Sequence, residues 1–184
     1  MCVSPAKETA RNTAKGTDRV TIIHVIDLQL SVILLGTPVV KWGEQVIHIQ
    51  RKIPRALLYY LAGHPQPIRR DELCLLLWPD ASPTEGRRHL RGILSKLRAE
   101  LPLPEALRVE QGLVSLDMER VWVDLLEFTS LLNTHRRLAG MVPRNEPLPE
   151  PVYQGLLRAV EIWQGPRFLF NFEWPDSELY EQWA

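Results

Sequence analysis

Basic side chains recur between residues 87 and 98, and no Asp or Glu lies among them. On a helix that turns about 100° per residue, the apolar residues of this stretch form a single stripe. The positions opposite that stripe are Arg88, Arg91, Gly92, Ser95 and Ala99. The flanking positions are Arg87 and Arg98 on one side and His89 and Lys96 on the other. The stretch therefore predicts an arginine-rich helix face that can contact nucleic acid.

The residue types on this face suit the major groove of DNA. A guanidinium group can bond a guanine edge or a phosphate through its forked donors. Gly92 lets the backbone approach the duplex, although a glycine inside a helix costs about 1 kcal/mol relative to alanine. The predicted base-reading residues are Arg87, Arg88, Arg91, Gly92 and Ser95. An ordinary solvated basic face is the alternative interpretation.

The helix that carries this face has clear boundaries in the sequence. Ser82-Pro83-Thr84-Glu85 supplies an N-cap, a proline at N1 and a glutamate at N3, which together predict a capping box. The helix is expected to run to about Leu101. Its buried stripe is predicted to be Leu90, Ile93, Leu94, Leu97 and Leu101.

Other elements must hold that helix in place. Alternation over residues 26–34 predicts a half-buried strand, and β-branched runs at 39–42 and 45–49 around Gly43-Glu44 predict a hairpin, so an antiparallel sheet is expected. Two shorter helices are predicted at residues 53–63 and 71–78. Residues 107–116 predict a small terminal hairpin that turns at Gln111-Gly112.

The second half of the chain has a different character. Helices are predicted at residues 123–138, 152–163 and 176–183, and a chain that stops inside the last helix suggests a truncated domain. The first two helices are expected to bury Leu125, Phe128, Leu132, Leu156, Val160 and Trp163 against one another. The aromatic residues that follow are expected to form the core of the same helical array; they are Phe168, Phe170, Phe172 and Trp174, together with Trp163.

Net charge separates the two halves, although the whole chain sums to zero. Residues 41–101 carry 11 Lys and Arg against 6 Asp and Glu, and residues 102–184 carry 7 against 13, giving +5 and −6. A basic region next to an acidic region predicts two surfaces with different partners. Two cysteines, no signal peptide and no run of about 20 apolar residues predict a cytoplasmic protein without a membrane span.

Two runs of residues resemble the antibiotic-regulatory-protein (SARP) family of bacterial activators: Arg70 to Asp80, and Gly86 to Arg98. Two later runs, Val123 to Phe128 and Ala159 to Leu169, resemble the bacterial transcriptional activation domain of that family. The resemblance covers about residues 26–184. It implies an α+β winged helix-turn-helix of the OmpR type followed by an all-α tetratricopeptide-like helical domain.

The resemblance also implies a division of labour. Residues 1–19 are expected to be a disordered leader, residues 20–120 the DNA-binding domain and residues 121–184 the activation domain. Implied partners are double-stranded promoter DNA with repeated sites, RNA polymerase, and a second copy of the chain on DNA. The predicted phosphate contacts are Arg69, Arg70, Lys96, Arg98 and Arg108.

The chain departs from the family pattern at two places in this region. Arg69 stands where the family has a small capping residue, so its side chain is predicted to reach a phosphate instead. The tip at Gln111-Gly112 is weakly basic, with only Arg108 nearby. The sequence therefore leaves contact between this hairpin and the minor groove undecided.

No motif for catalysis stands in the sequence. There is no phosphate-binding glycine loop, nucleophile elbow or HExxH, and the five histidines have no metal-ligand spacing. We therefore expect no enzyme activity, no cofactor and no metal site. The competing hypothesis is a protein-interaction module whose winged helix docks a protein partner rather than DNA.

Overall fold

The computed structural model describes residues 29–172. The strands are β1 Leu30–Ile33, β2 Val39–Trp42, β3 Gln45–Ile47, β4 Ile68–Arg69, β5 Leu107–Glu110, β6 Leu113–Leu116 and β7 Val121–Val123. The helices are α1 Lys52–Gly63, α2 Arg70–Leu77, α3 Pro83–Glu100, α4 Asp124–Ala139 and α5 Glu150–Ile162. The predicted leader, the start of the predicted strand at 26–28 and the predicted helix at 176–183 lie outside the described residues.

The first sheet has the strand order β3-β2-β1-β7. The predicted hairpin is confirmed, and it turns at Gly43, whose φ of 56° favours glycine. The predicted antiparallel arrangement of the first three strands is confirmed, and the sheet has a fourth strand that the sequence did not predict, because β7 pairs with β1 in parallel. Three residues that lead directly into α4 do not show a strand pattern of their own, so the sequence did not reveal β7.

The second sheet places β6 between β4 and β5. The predicted terminal hairpin is confirmed as β5 and β6, with Gln111 and Gly112 at positive φ at its tip. The carbonyl of Gly112 accepts a hydrogen bond from the backbone N–H of Arg70 at 2.9 Å. The hairpin tip is therefore fixed to the start of α2.

Helices α1, α2 and α3 share one apolar core with both sheets. The stripe predicted for α3 is confirmed, since all five of its members are buried. The capping box is also present: the Ser82 side chain accepts from the Glu85 backbone, and the Glu85 carboxylate accepts from Ser82. Both features fix the rotation of α3 about its axis, and hence which residues face outward.

Helices α4 and α5 pack against each other, with Leu125, Phe128, Leu132 and Leu156 half-buried. The predicted burial of Val160 and Trp163 is wrong: these residues are 69% and 41% exposed. The buried positions of α5 are instead Val152, Ala159 and Ile162. Val160 is next to Ala159 and therefore points about 100° away from the buried side.

The chain after α5 returns to the first sheet. Leu169 N–H donates to the carbonyl of Leu34 at 2.9 Å, and Phe170 N–H donates to that of Gly36 at 2.8 Å. The Phe172 ring meets the Tyr59 ring edge-on at 5.1 Å. Phe168 and Phe172 thus pack against the core of the first half, which corrects the prediction that they form the core of a helical array. Trp174 lies outside the described residues.

Asp124, the first residue of α4, ties this helix to β1. Its buried carboxylate accepts hydrogen bonds from the backbone N–H groups of Leu34 and Leu35, both at 2.8 Å, and from Leu125 at 2.7 Å. Burial raises the pKa of Asp124, and these backbone donors oppose that rise. The helical pair is therefore joined to the sheet at both ends, by Asp124 and by residues 168–170.

Within residues 29–172, no helix is long and apolar enough to cross a bilayer.

Candidate nucleic-acid interface

The outward face of α3 is the predicted one. Arg88, Arg91, Gly92, Ser95 and Lys96 are all exposed on the side opposite the buried stripe. Gly86 sets the close approach of α2 and α3, because a Cβ there would lie 3.1 Å from the Cβ of Cys74. Helix α2 therefore packs closely against α3, and the basic face of α3 remains exposed to solvent.

The cations at the centre of this face are not committed to other protein groups. Within residues 29–172, Arg88, Arg91 and Lys96 make no hydrogen bond or ion pair. Glu85, one turn before Arg88, is held by the Ser82 hydroxyl at 2.7 Å. Hydrogen bonds from Ser82 are the main reason that the pKa of Glu85 is lowered, and Arg88 contributes less. Arg88 and Arg91 therefore keep their guanidinium donors for an external acceptor.

Arg87 is different, because it is paired with a carboxylate from α2. Its Nε lies 3.0 Å from Oδ1 of Asp71, and its Nη2 lies 3.3 Å from Oδ2. The side-chain hydrogen bond with Arg87 lowers the pKa of Asp71 and the same bond raises that of Arg87. Projection of α3 alone could not reveal this partner. Arg87 must leave Asp71, or share it, before it can read a base.

Three of the predicted phosphate contacts also have internal partners. Arg69 pairs with Glu72 at 2.8 Å, and it is an N-cap without a side-chain cap, as the sequence indicated. Arg98 donates to the carbonyl of Leu107 at 3.0 Å. Arg108 donates to buried Asp117 at 2.5 Å. These three arginines brace the structure around the β5–β6 hairpin, whereas Arg70 and Lys96 make no side-chain ion pair within the described residues.

A cleft lies on the hairpin side of α3. It brings together four of the predicted residues with the tip of the hairpin: Arg69, Arg70, Arg87 and Arg91, with Gln111 and Gly112. Asp71 is also part of this wall. We call it the hairpin-side cleft. Its arginines converge on one region, but carboxylates neutralise two of them.

A second cleft lies on the other side of α3, against the start of α1. Its rim is basic and consists of Arg51, Lys52, Arg88, His89 and Lys96. Its floor is apolar and consists of Ile53, Pro54, Trp78, Gly92 and Ile93. We call it the α1-side cleft, and no carboxylate lines it. The sequence analysis missed Arg51 and Lys52, although two adjacent cations at a predicted helix start are a signal that could have identified them.

This geometry suits a duplex. An exposed helix of 18 residues can enter the major groove, which is about 12 Å wide, and a cationic cleft on each side can meet a phosphate strand. Guanidinium forks at the centre of the helix can bond the O6 and N7 atoms of guanine. Anions other than DNA could also be attracted by the same charges.

The same fold occurs in Mycobacterium tuberculosis EmbR, whose structure was solved in complex with a low affinity phosphopeptide. The two chains are 21% identical with a TM-score of 0.62, and the match covers 84% of this chain and 40% of EmbR. At this identity the likeness shows the fold alone, a mixed arrangement of sheets and helices, and the chain spans less than half of the length of EmbR. No protein-family model and no curated protein sequence matches the chain.

Proposed function

We propose that this chain is a sequence-specific DNA-binding transcription regulator of the SARP type. The observation that carries the proposal is the exposed face of α3, on which Arg88 and Arg91 make no internal hydrogen bond or ion pair within the described residues. In a duplex complex α3 occupies the major groove, Arg88 and Arg91 read guanine edges, and Ser95 bonds a neighbouring base. Gly92 lets the helix backbone approach the bases.

The remaining predicted contacts have secondary roles in this proposal. Arg70 and Lys96 bind phosphates directly, because no carboxylate competes for them. Arg69, Arg87, Arg98 and Arg108 exchange an internal partner for DNA or hold the fold while other residues bind. Because a paired charge is partly neutralised, each of these four contributes less to affinity than Arg88 or Arg91.

Residues 29–123 supply the winged helix in this proposal, and the α4–α5 pair belongs to a tetratricopeptide-like activation domain. The acidic second half contacts proteins: RNA polymerase, as the SARP resemblance implies, and a second copy of the chain on repeated sites. The likeness of the fold to that of EmbR supports part of this layout. No catalytic step is part of the proposal.

A second candidate function is docking of a protein partner on the basic face. The EmbR structure contains a phosphopeptide, and an acidic or phosphorylated peptide would be attracted by the same cations. DNA is preferred because Arg88, Arg91 and Lys96 lie along one exposed helix face over about two turns. A peptide site would instead require a pocket that encloses the phosphate.

Selection from a random pool of DNA duplexes tests the proposal. The full chain is expected to enrich a defined motif that contains guanines, and the motif placed upstream of a promoter is expected to support stimulated transcription by purified RNA polymerase. A pool that stays random after repeated rounds, together with saturable binding of a phosphopeptide that Arg91→Ala abolishes, would support the second candidate and refute the first.

A further inference from the structure

The two sides of α3 differ in how much positive charge is free. On the hairpin side, Arg69 and Arg87 are paired with Glu72 and Asp71, and Arg108 is paired with Asp117. On the α1 side, no member of the basic rim makes an ion pair within residues 29–172. Within the described part of the chain, Arg70 and Arg91 are the unpaired cations of the hairpin-side cleft, whereas the α1-side cleft has four, Arg51, Lys52, Arg88 and Lys96, so more of the free charge lies on the α1 side.

Two elements contribute cations to the α1-side cleft. Arg51 and Lys52 lie at the start of α1, and Arg88 and Lys96 lie on α3. The first turn of α1 contains no acidic residue, and its N-cap, Arg51, forms no side-chain cap. The helix therefore adds the positive end of its dipole to the side-chain charges.

The apolar floor fits the part of DNA between the phosphates. Pro54 is buried, and Ile53, Trp78 and Ile93 leave part of their surface to the cleft. Trp78 also meets the His89 ring at 5.4 Å, which holds the indole at the base of the rim. Deoxyribose is the least polar part of a DNA strand, so sugars can rest on this floor while adjacent phosphates meet the rim.

Glu100 is the acidic residue next to these cations. Its carboxylate accepts a hydrogen bond from the backbone N–H of Gln50 at 3.0 Å, and it is not among the residues that line the cleft. This bond fixes the approach of the chain to α1. Within residues 29–172, Glu100 makes no ion pair with Arg51, Lys52 or Lys96.

We propose that the α1-side cleft is the main phosphate-binding surface of this chain, with Arg51 and Lys52 as contacts to one strand of the duplex. The inference rests on the proposed function, since it names where the DNA backbone lies. It adds Arg51 and Lys52 to the predicted phosphate contacts, of which Lys96 lies in the same cleft.

The experiment compares salt dependence in matched variants of the full chain. Affinity for the selected duplex and for a scrambled duplex is measured by fluorescence anisotropy over a range of salt concentrations. Arg51→Gln combined with Lys52→Gln is expected to make the slope of log affinity against log salt less steep by roughly 1.8, because each lost phosphate contact contributes about 0.9. The loss is expected on both duplexes equally, with base preferences unchanged.

Two further variants serve as comparisons. Arg69→Gln on the hairpin side is expected to change the slope by less than half of one phosphate contact, or roughly 0.45. Arg136→Gln with Arg137→Gln removes two exposed charges from α4 and is expected to leave the slope unchanged. Circular dichroism and thermal unfolding establish that every variant is folded.

The outcomes separate this inference from the proposed function. An unchanged slope for the Arg51/Lys52 double variant, with a reduced slope for Arg69→Gln, would overturn the inference while the chain still binds its selected site. Failure of the unmodified chain to prefer the selected duplex over the scrambled one would overturn the proposed function, and the inference with it.

Discussion

The arginines of α3 differ in whether their side chains bond to another protein group. Arg87 and Arg88 are neighbours in sequence and both are exposed, yet Arg87 bonds Asp71 and Arg88 bonds no protein group within the described residues. An arginine in an exposed ion pair gains little stability from it, so the pair can open at low cost when a stronger acceptor arrives. Under the proposed function, Arg88 and Arg91 can therefore bind DNA without first breaking an ion pair, whereas Arg87 must first release Asp71.

A substitution at Gly92 tests whether this part of α3 is a binding surface or an ordinary solvent-exposed helix surface. A Cβ at this position meets nothing within 4 Å, so Gly92→Ala is expected to raise the free energy of unfolding by about 0.5–1 kcal/mol through helix propensity. If the backbone here approaches DNA, the same variant is expected to bind the selected duplex roughly tenfold more weakly. Denaturant unfolding and anisotropy measure the two effects. A more stable variant with unchanged affinity would show that the glycine does not face DNA.

Asp124 is a second residue whose role follows from its contacts. Its carboxylate accepts three backbone hydrogen bonds in a buried setting. In Asp124→Asn the amide nitrogen must face at least one of these N–H donors, so we expect the free energy of unfolding to fall by about 1–3 kcal/mol. Urea unfolding measures the change, with exposed Asp80→Asn as the control. Equal stability of the two variants would contradict the structural role of Asp124.

Elements with a local pattern were predicted well, and elements that depend on distant partners were not. Three features depend only on residues that are close in sequence: the capping box, the leucine stripe and the turn at Gln111-Gly112. All three are confirmed. Strand β7 has only three residues, and its identity as a strand depends on β1, about 90 residues away. Hydrophobic periodicity is a pattern among neighbouring residues, so it gives no information on a pairing between strands that are distant in sequence.

The segment after α5 shows the same limit. Phe168 and Phe172 are half-buried against a core, but a sequence pattern does not say which core that is. The answer depends on Gly36 and Gly165, whose backbones are so close that no side chain fits between them. Gly36 and Gly165 are far apart in sequence, so neither residue indicates by itself that the two backbones meet in the fold.

Gly165→Ala tests this docking of the segment on the first sheet. A Cβ at residue 165 would lie 2.4 Å from the Cα of Gly36, and a backbone atom cannot rotate away as a side chain can. We expect the free energy of unfolding to fall by about 1–3 kcal/mol because the segment must move. Gly92→Ala is the matched control, since its new methyl group meets nothing. A Gly165→Ala chain as stable as the unmodified protein would contradict the close packing of residues 165–172.

The two halves form a connected unit in spite of their opposite charges. Strand β7 and Asp124 join α4 to the first sheet, and residues 168–170 join the chain after α5 to the same sheet. Within residues 29–172, the first sheet contains β7, whose residues directly follow Arg120, so chain from both sides of residue 120 contributes to one sheet. Truncation after Arg120 would remove one strand of the sheet, so point variants are the safer tools for separating binding from activation.

At the scale of the whole molecule, the basic region from 41 to 101 is expected to make binding strongly dependent on salt. With roughly five phosphates neutralised, the slope of log affinity against log salt is expected near −4.5. Titrations of the full chain with a duplex from low to moderate salt give this value. A slope near zero would show that the positive residues are only hydrated by solvent and do not contact phosphates. Another interaction would then drive any association.

The proposed base-reading role of the α3 face rests on Arg88 and Arg91, which are exposed and make no hydrogen bond or ion pair within residues 29–172. The decisive measurement is the equilibrium affinity of the full chain, Arg88→Ala and Arg91→Ala for the selected duplex and for its scrambled version. Each substitution is expected to weaken specific binding by about 1–3 kcal/mol while changing binding to the scrambled duplex much less. Arg136→Ala, on exposed α4, is the control and is expected to bind as the unmodified chain does. Folded Arg88→Ala and Arg91→Ala proteins with full affinity and the same base preferences would show that α3 does not read DNA.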